Sequence, residues 1–215
     1  MKQAFWSERW EEGRIGFHQP TGNPLLPGHL SSFPMGRVLV PLAGKTIDIV
    51  TLHKAGYDVV AVEFVETAVR AFGQENPELN LQPHDGPLGF ELRGERLRFL
   101  AADFFTVTHA EVGRFDFVYD RAALIALPPA DQPRYVEHLR SLIAPEGHIM
   151  AVTLDYPQTT MKGPPFSTPP HVVESLYTDA EVAILNTEIP EPHPFAARGC
   201  GPLKEHLFRI AKASQ

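Results

Sequence analysis

Residues 37–50 read RVLVPLAGKTIDIV. The apolar run over 37–42 has the character of a strand buried on both faces of a parallel sheet. It delivers the chain to Gly44, Lys45 and Thr46, which is also how a triphosphate-binding loop ends. Such a loop needs G-x-x-x-x-G-K-[ST], because its first glycine lets the chain turn back until its amides face the phosphates. With Gly44 as the second glycine, the first falls on position 39, which is leucine inside the strand. Lys45 and Thr46 are therefore expected to open a helix over 45–55, with Asp48 favourable in its first turn. The dinucleotide fingerprint G-x-G-x-x-G fails as well, since only Gly44 is present.

Outward from this stretch the chain alternates. Strands are expected at 58–63, 96–103, 115–120 and 148–156, and helices at 66–75, near 108–112 and at 130–144. Residues 3–12 suit a helix with Phe5, Trp6 and Trp10 near one face. Residues 76–89 read as loop. Beyond 157 the chain is proline-rich, then suits a helix near 170–176 and strands at 181–188 and 205–212. Alternating strands and helices argue for an α/β fold, doubly wound around a mainly parallel sheet. The expected organisation is one domain over 1–215, with a helical lid in residues 1–30 and a substrate-side insertion over 157–204.

Composition narrows the function. The net charge is −7, which disfavours a nucleic-acid partner because neutralising phosphates needs a basic face. The single cysteine, Cys200, permits no internal disulfide and no cysteine-based zinc site. The ten histidines have no metal-ligand spacing, so no metal is expected. The first residues lack a signal peptide's apolar run, and no segment approaches a membrane span. A cytoplasmic protein is expected, with no membrane partner.

In an open parallel sheet, ligands bind outside the carboxyl ends of the strands. Here those ends carry Gly44, Glu63, Asp103 and the pair Asp120–Arg121. Glu63 follows the glycine by about 20 residues, where an acid can accept hydrogen bonds from ribose hydroxyls. A ribose without a pyrophosphate describes S-adenosylmethionine, for which one glycine suffices because only close backbone approach is needed. Asp103 is a candidate acceptor from the adenine amino group, or equally an N-cap of the segment after it.

The segments FWSERW, GFHQ, NPLL, VLVPLAGK, VVAVE, FDFVYDRAALIALPP, RYVEHL and GPPFSTP stand in this order along the chain. In this the sequence resembles the thiopurine S-methyltransferase family over residues 5–177, and weakly beyond through FAAR. The resemblance implies a Rossmann-like class I methyltransferase fold, S-adenosylmethionine as cofactor, and methyl transfer to sulfur in small aromatic or heterocyclic thiols. Some bacterial members are linked to selenium or tellurium compounds. By matching positions, Trp6, Trp10, Leu42, Glu63 and Phe104 resemble the family's cofactor contacts. Phe17, Arg121, Arg198 and Pro165 resemble its substrate-side residues. Ala43 stands where the family usually has cysteine. Members are commonly single subunits, so a monomer is expected.

Arg121 cannot act as a base, because guanidinium does not deprotonate in proteins. Its charge can hold a thiolate or lower a thiol's pKa, with Asp120 orienting it or a water. His18 is a conceivable proton acceptor. Two other readings stand beside the thiol methyltransferase. One is a nicotinamide-dependent oxidoreductase, which the missing glycines disfavour. The other is a module that binds the cofactor without chemistry.

Overall fold

In the computed structural model, β1 (Arg37–Val40) and β2 (Asp58–Glu63) pair in parallel, Val38 beside Val59 and Val40 beside Ala61. Both are runs of β-branched and small apolar residues, buried almost throughout, which suits a central strand packed on two faces. The structure describes residues 6, 8–10, 12, 21–189 and 202–213. The remaining strands are β3 (Gln82–Gly86), β4 (Gly89–Gly94), β5 (Leu97–Ala101), β6 (Phe115–Arg121), β7 (Ile143–Asp155), β8 (Ala180–Glu188) and β9 (Lys204–Lys212). The nine strands of the described residues form one sheet in the order β3-β4-β5-β2-β1-β6-β7-β9-β8. The five strands from β5 to β7 are mutually parallel. β9 runs antiparallel to β7, with Thr153 beside His206 and Leu154 beside Glu205.

Helices α1 (Leu25–His29), α2 (Asp48–Lys54), α3 (Glu66–Glu75), α4 (His109–Val112), α5 (Gln132–Leu142) and α6 (Pro170–Leu176) divide between two apolar layers. One layer joins Val38, Val40, Phe117, Tyr119, Val152 and Leu207 to Leu25 and Leu26 of α1 and Ile49 of α2. The other joins Leu39, Val118, Ala151 and Phe208 to Tyr135 and Leu139 of α5 and Val173 of α6. The alternation of neighbouring strand residues between these layers is the period-two geometry of a strand, and the result is the expected doubly wound α/β sheet.

Three local expectations differ. Residues 76–89, expected as loop, contain β3 and lead into β4, an antiparallel hairpin added to the edge at β5. β3 is polar, contains Pro83 and lies almost wholly exposed, so it has no apolar period to read. Helix α2 starts at Asp48, not residue 45, because Gly44 to Thr46 form a turn closed by the Thr46 amide donating to the Ala43 carbonyl (3.2 Å). β7 begins at Ile143, inside the stretch expected to end the preceding helix. At the N-terminus, residues 6 and 8–10 are helical. No helix among the described residues is long and apolar enough to cross a membrane.

The chain leaves β1 toward β2 on one side and β6 carries on at the other. A crevice outside the carboxyl ends of these strands is where such a sheet receives a ligand.

Candidate active site

The turn after β1 is sharp. Leu42 and Gly44 have positive φ, 47° and 58°, while the Ala43 amide donates to the Val62 carbonyl (2.9 Å) and carries the β1–β2 pairing past the strand end. Left-handed backbone at a leucine is strained, and such strain persists where surroundings over-determine it. Here the clamp is Glu63. Its Oε2 accepts from the Gly44 amide (2.9 Å) and its Oε1 from the Val65 amide (2.9 Å). Burial raises the Glu63 carboxyl above its ordinary pKa, and the amides of Val65, Gly44 and Phe64 oppose that rise. Each carboxylate oxygen can accept more than one hydrogen bond, so the clamp leaves capacity for a ligand hydroxyl.

Lys45 ion-pairs with Glu75 of α3, so its ammonium is committed away from the turn. A phosphate cradle is therefore lacking both in glycines and in the free lysine that such a loop uses. The residues of this turn fit an adenosyl group with no phosphate: an acid beside a strained glycine turn, with its lysine paired elsewhere.

Asp103 follows β5 and is exposed. Its Oδ1 accepts from the Phe105 amide (3.0 Å), so it caps the short turn 104–106. Phe104 is buried, its ring edge-on to His138 at 4.9 Å and tilted against Tyr135 at 5.5 Å. His138 Nε2 donates to the Phe104 carbonyl (2.8 Å), tying this turn to α5.

At the end of β6, Asp120 and Arg121 point to opposite faces of the sheet. Asp120 is 1% exposed. Its Oδ1 accepts from the Leu124 amide (3.0 Å) and its Oδ2 from the Tyr135 hydroxyl (2.9 Å). Burial lifts its pKa to about 6 against the pull of those donors. Asp120 thus shapes the turn that follows Arg121, in which Ala122 has φ 63°. Arg121 is half-buried and its backbone pairs with Val152 of β7. Its guanidinium forms no hydrogen bond or ion pair with another described residue, while its charge acts on Glu205 and Tyr119.

Pro165 lies beside that same turn. The Phe166 amide donates to the Ile125 carbonyl (2.6 Å), and the Tyr156 hydroxyl donates to the Pro165 carbonyl (2.6 Å). The Thr168 amide donates to the Leu154 carbonyl (2.7 Å), which docks the proline loop onto β7. An open cavity of about 330 Å³ at the end of β7 is lined by Asp155, Tyr156, Pro157, Pro202 and Lys204.

The fold thus gathers Leu42, Gly44, Glu63, Asp103, Phe104, Asp120, Arg121 and Pro165 at the carboxyl rim. Trp6 and Trp10 are partly buried helical residues. Phe17, His18 and Arg198, with Phe5 and Cys200, lie outside the described residues. Among the described residues no group of His, Cys, Asp and Glu suits a metal ion.

The sequence reading missed a second polar cluster under the rim. Asp48, 1% exposed, accepts from the Asn23 amide (2.8 Å), the Tyr119 hydroxyl (3.0 Å) and the Thr46 hydroxyl (3.1 Å). Asn23 Nδ2 donates to Glu205 Oε1 (3.1 Å). Gly22 makes this approach possible: its φ is 75°, and a Cβ there would meet Asp48 Oδ1 at 2.4 Å. The only sequence signal was the placing of Asp48 and Tyr119 among apolar neighbours.

Solved structures share this architecture. A 1,6-didemethyltoxoflavin-N1-methyltransferase from Burkholderia thailandensis, bound to its methyl acceptor and S-adenosylhomocysteine, is 17% identical with a TM-score of 0.64, over 98% of this chain and 87% of that one. Magnesium protoporphyrin IX methyltransferase from Synechocystis, with bound S-adenosylmethionine, is 15% identical with a TM-score of 0.64, over 99% and 92%. The fold is that of the Rossmann-like class I S-adenosylmethionine-dependent methyltransferases. At the level of sequence, the family described as Thiopurine S-methyltransferase (TPMT) matches residues 1–213. Thiopurine S-methyltransferases of Nitrosospira multiformis and Vibrio parahaemolyticus are 37% and 39% identical, over 98% and 97% of both chains respectively. The chain belongs to the thiopurine S-methyltransferase family, and its chemistry is S-adenosylmethionine-dependent methyl transfer.

Proposed function

We propose that the protein methylates the sulfur of small aromatic or heterocyclic thiols. The observation that carries this reading is Arg121, a half-buried guanidinium at the rim without a hydrogen bond or ion pair to a described residue, beside the docked proline loop. A cation held there suits an anionic acceptor, and a thiolate is the nucleophilic form of a thiol. Bound S-adenosylmethionine supplies an electrophilic methyl group on a sulfonium.

The chain's own residues bind, orient and exclude water. Glu63 receives the ribose hydroxyls, and the Leu42–Gly44 turn lets backbone approach the amino-acid end. Asp103 and the backbone of Phe104 face the adenine. Trp6 and Trp10 belong to an N-terminal lid whose aromatic faces favour a cation, an effect worth up to about 2 kcal/mol when desolvated. Arg121 holds the acceptor sulfur, Asp120 keeps the turn behind it in shape, and Pro165 forms a rigid wall. Phe17, His18 and Arg198 complete the acceptor side. Because the charges of sulfonium and thiolate cancel during transfer, rate is expected to come mainly from proximity and orientation. The reading extends to one cytoplasmic domain over 1–215 that acts as a monomer, without nucleic-acid or membrane partners.

The test is a panel of thiols, selenols and other small nucleophiles, offered to the purified protein with S-adenosylmethionine and scored by product mass. Heteroaromatic thiols are expected to gain one methyl group, and Arg121→Ala to lower their kcat/KM at least tenfold. Transfer only to selenium or tellurium acceptors, or an Arg121→Ala enzyme as fast as the parent, would overturn the assignment.

A further inference from the structure

A thiol that arrives protonated must lose its proton near Arg121, and Arg121 cannot take it. Asp120 is poorly placed to do so. Its oxygens are engaged by Leu124 and Tyr135, and it faces the layer of α5. The opposite face carries another carboxylate. Tyr119 of β6 and Leu207 of β9 share one apolar layer, so by strand alternation Arg121 and Glu205, two residues from each, project from that same face. The register brings them close. Arg121 pairs with Val152 of β7, Val152 with Leu207, and Leu154 with Glu205. Glu205 therefore stands one strand beyond β7, displaced toward the carboxyl rim.

We propose that Glu205 is the proton acceptor for the methyl-acceptor thiol. This rests on the thiol reading above and adds to it the residue that ionises the sulfur. Glu205 is 8% exposed and is held through Oε1 by Asn23, itself anchored on Asp48. Burial raises its pKa. The Asn23 amide and the Arg121 charge lower it, while Glu188 on β8 and Asp48 on α2 raise it further. Among the described residues Tyr119 also faces it; its hydroxyl donates to Asp48 and is kept neutral by its own burial. A carboxylate whose proton affinity is raised toward neutrality matches the requirement for a general base. In the step, the acceptor S–H proton passes to the Glu205 carboxylate. The sulfur forms its bond to the methyl carbon, and the electron pair of the broken C–S bond returns to the departing sulfide. Glu205 then releases the proton to solvent.

Two measurements test this on Glu205→Gln, which is isosteric and keeps an oxygen for Asn23. The first uses benzenethiol bound to the protein–S-adenosylhomocysteine complex and follows thiolate absorbance against pH. Because a neighbouring carboxylate disfavours a thiolate, the midpoint is expected to fall by about one pH unit in E205Q and to return toward the parent value in Glu205→Asp. The second compares turnover of benzyl mercaptan, protonated in neutral buffer, with 4-nitrobenzenethiol, already ionised there. E205Q is expected to lower kcat/KM for the first about 100-fold more than for the second, within the range ascribed to general bases, with the gap closing as pH rises. Equal losses on both thiols, or an unmoved absorbance midpoint, would overturn the proposal and leave Glu205 a structural residue. Failure of the parent protein to methylate any thiol would instead sink the thiol reading, while the absorbance titration would still report on Glu205.

Discussion

Glu63 accepts amide hydrogen bonds from Gly44 and Val65 and stands at the end of β2. Removing it takes away both the clamp on the glycine turn and the partner expected for two ribose hydroxyls. Hydrogen bonds to a charged group contribute about 1.5–3 kcal/mol each. Glu63→Ala is therefore expected to weaken S-adenosylhomocysteine binding by roughly 100-fold or more, read by calorimetry on protein shown to be folded. Asp120 makes a different prediction. Its folded carboxyl titrates near 6 and an ordinary one near 3.8, so the folded state holds this proton more tightly than the unfolded state. Its contribution to stability is greatest below the lower value, falls as pH rises to the upper one, and is flat beyond. The loss is about 3 kcal/mol. Glu63 and Glu205 are raised in the same direction, so the check is a difference. Urea melts of parent and Asp120→Asn should draw together, or cross, in the sense of the parent losing ground between pH 3.5 and 7. A constant difference would place the proton elsewhere.

At the scale of elements, the sheet's centre and its edges obey different forces. β1, β2 and β6 follow from continuous apolar runs, and their bounds were legible to within one or two residues. The β3–β4 hairpin was not, because β3 lies outside the core and its pairing is set by backbone hydrogen bonds to β4. The hairpin's tie to the sheet is electrostatic as well. Glu91, 2% exposed on β4, accepts from Arg98 Nε of β5 (3.0 Å) and pairs with Arg93. Glu91→Ala leaves two half-exposed guanidinium groups without their acceptor. It should cost about 1–3 kcal/mol, measured by denaturant melts, with hydrogen exchange in β3 and β4 rising more than in β2. Uniform exchange across the sheet would show that the hairpin does not open on its own.

At the scale of the molecule, the expected behaviour is that of a fold whose ligand bridges several strand ends. S-adenosylhomocysteine is expected to bind only the native rim, so at a hundredfold excess over Kd it should add about 2.7 kcal/mol of stability. For a chain of this length that is a rise in Tm of roughly 5–10 °C. NADH at the same concentration should leave Tm unmoved, and an equal shift by NADH would favour the oxidoreductase reading. The alternation of strands and helices, the absence of a phosphate-loop glycine at position 39, and the acid that ends β2 were all present in the linear order. They sufficed for the α/β class and for a cofactor without phosphates, because the burial pattern of a strand and the backbone demands of a glycine turn are local properties. Which side chains meet was decided only in three dimensions. Asp120 and Arg121 are neighbours in the chain and face opposite layers. Asn23 and Glu205 are 182 positions apart and share a hydrogen bond. A buried polar group is satisfied by whatever the sheet order brings beside it, and that order is a property of the packed core.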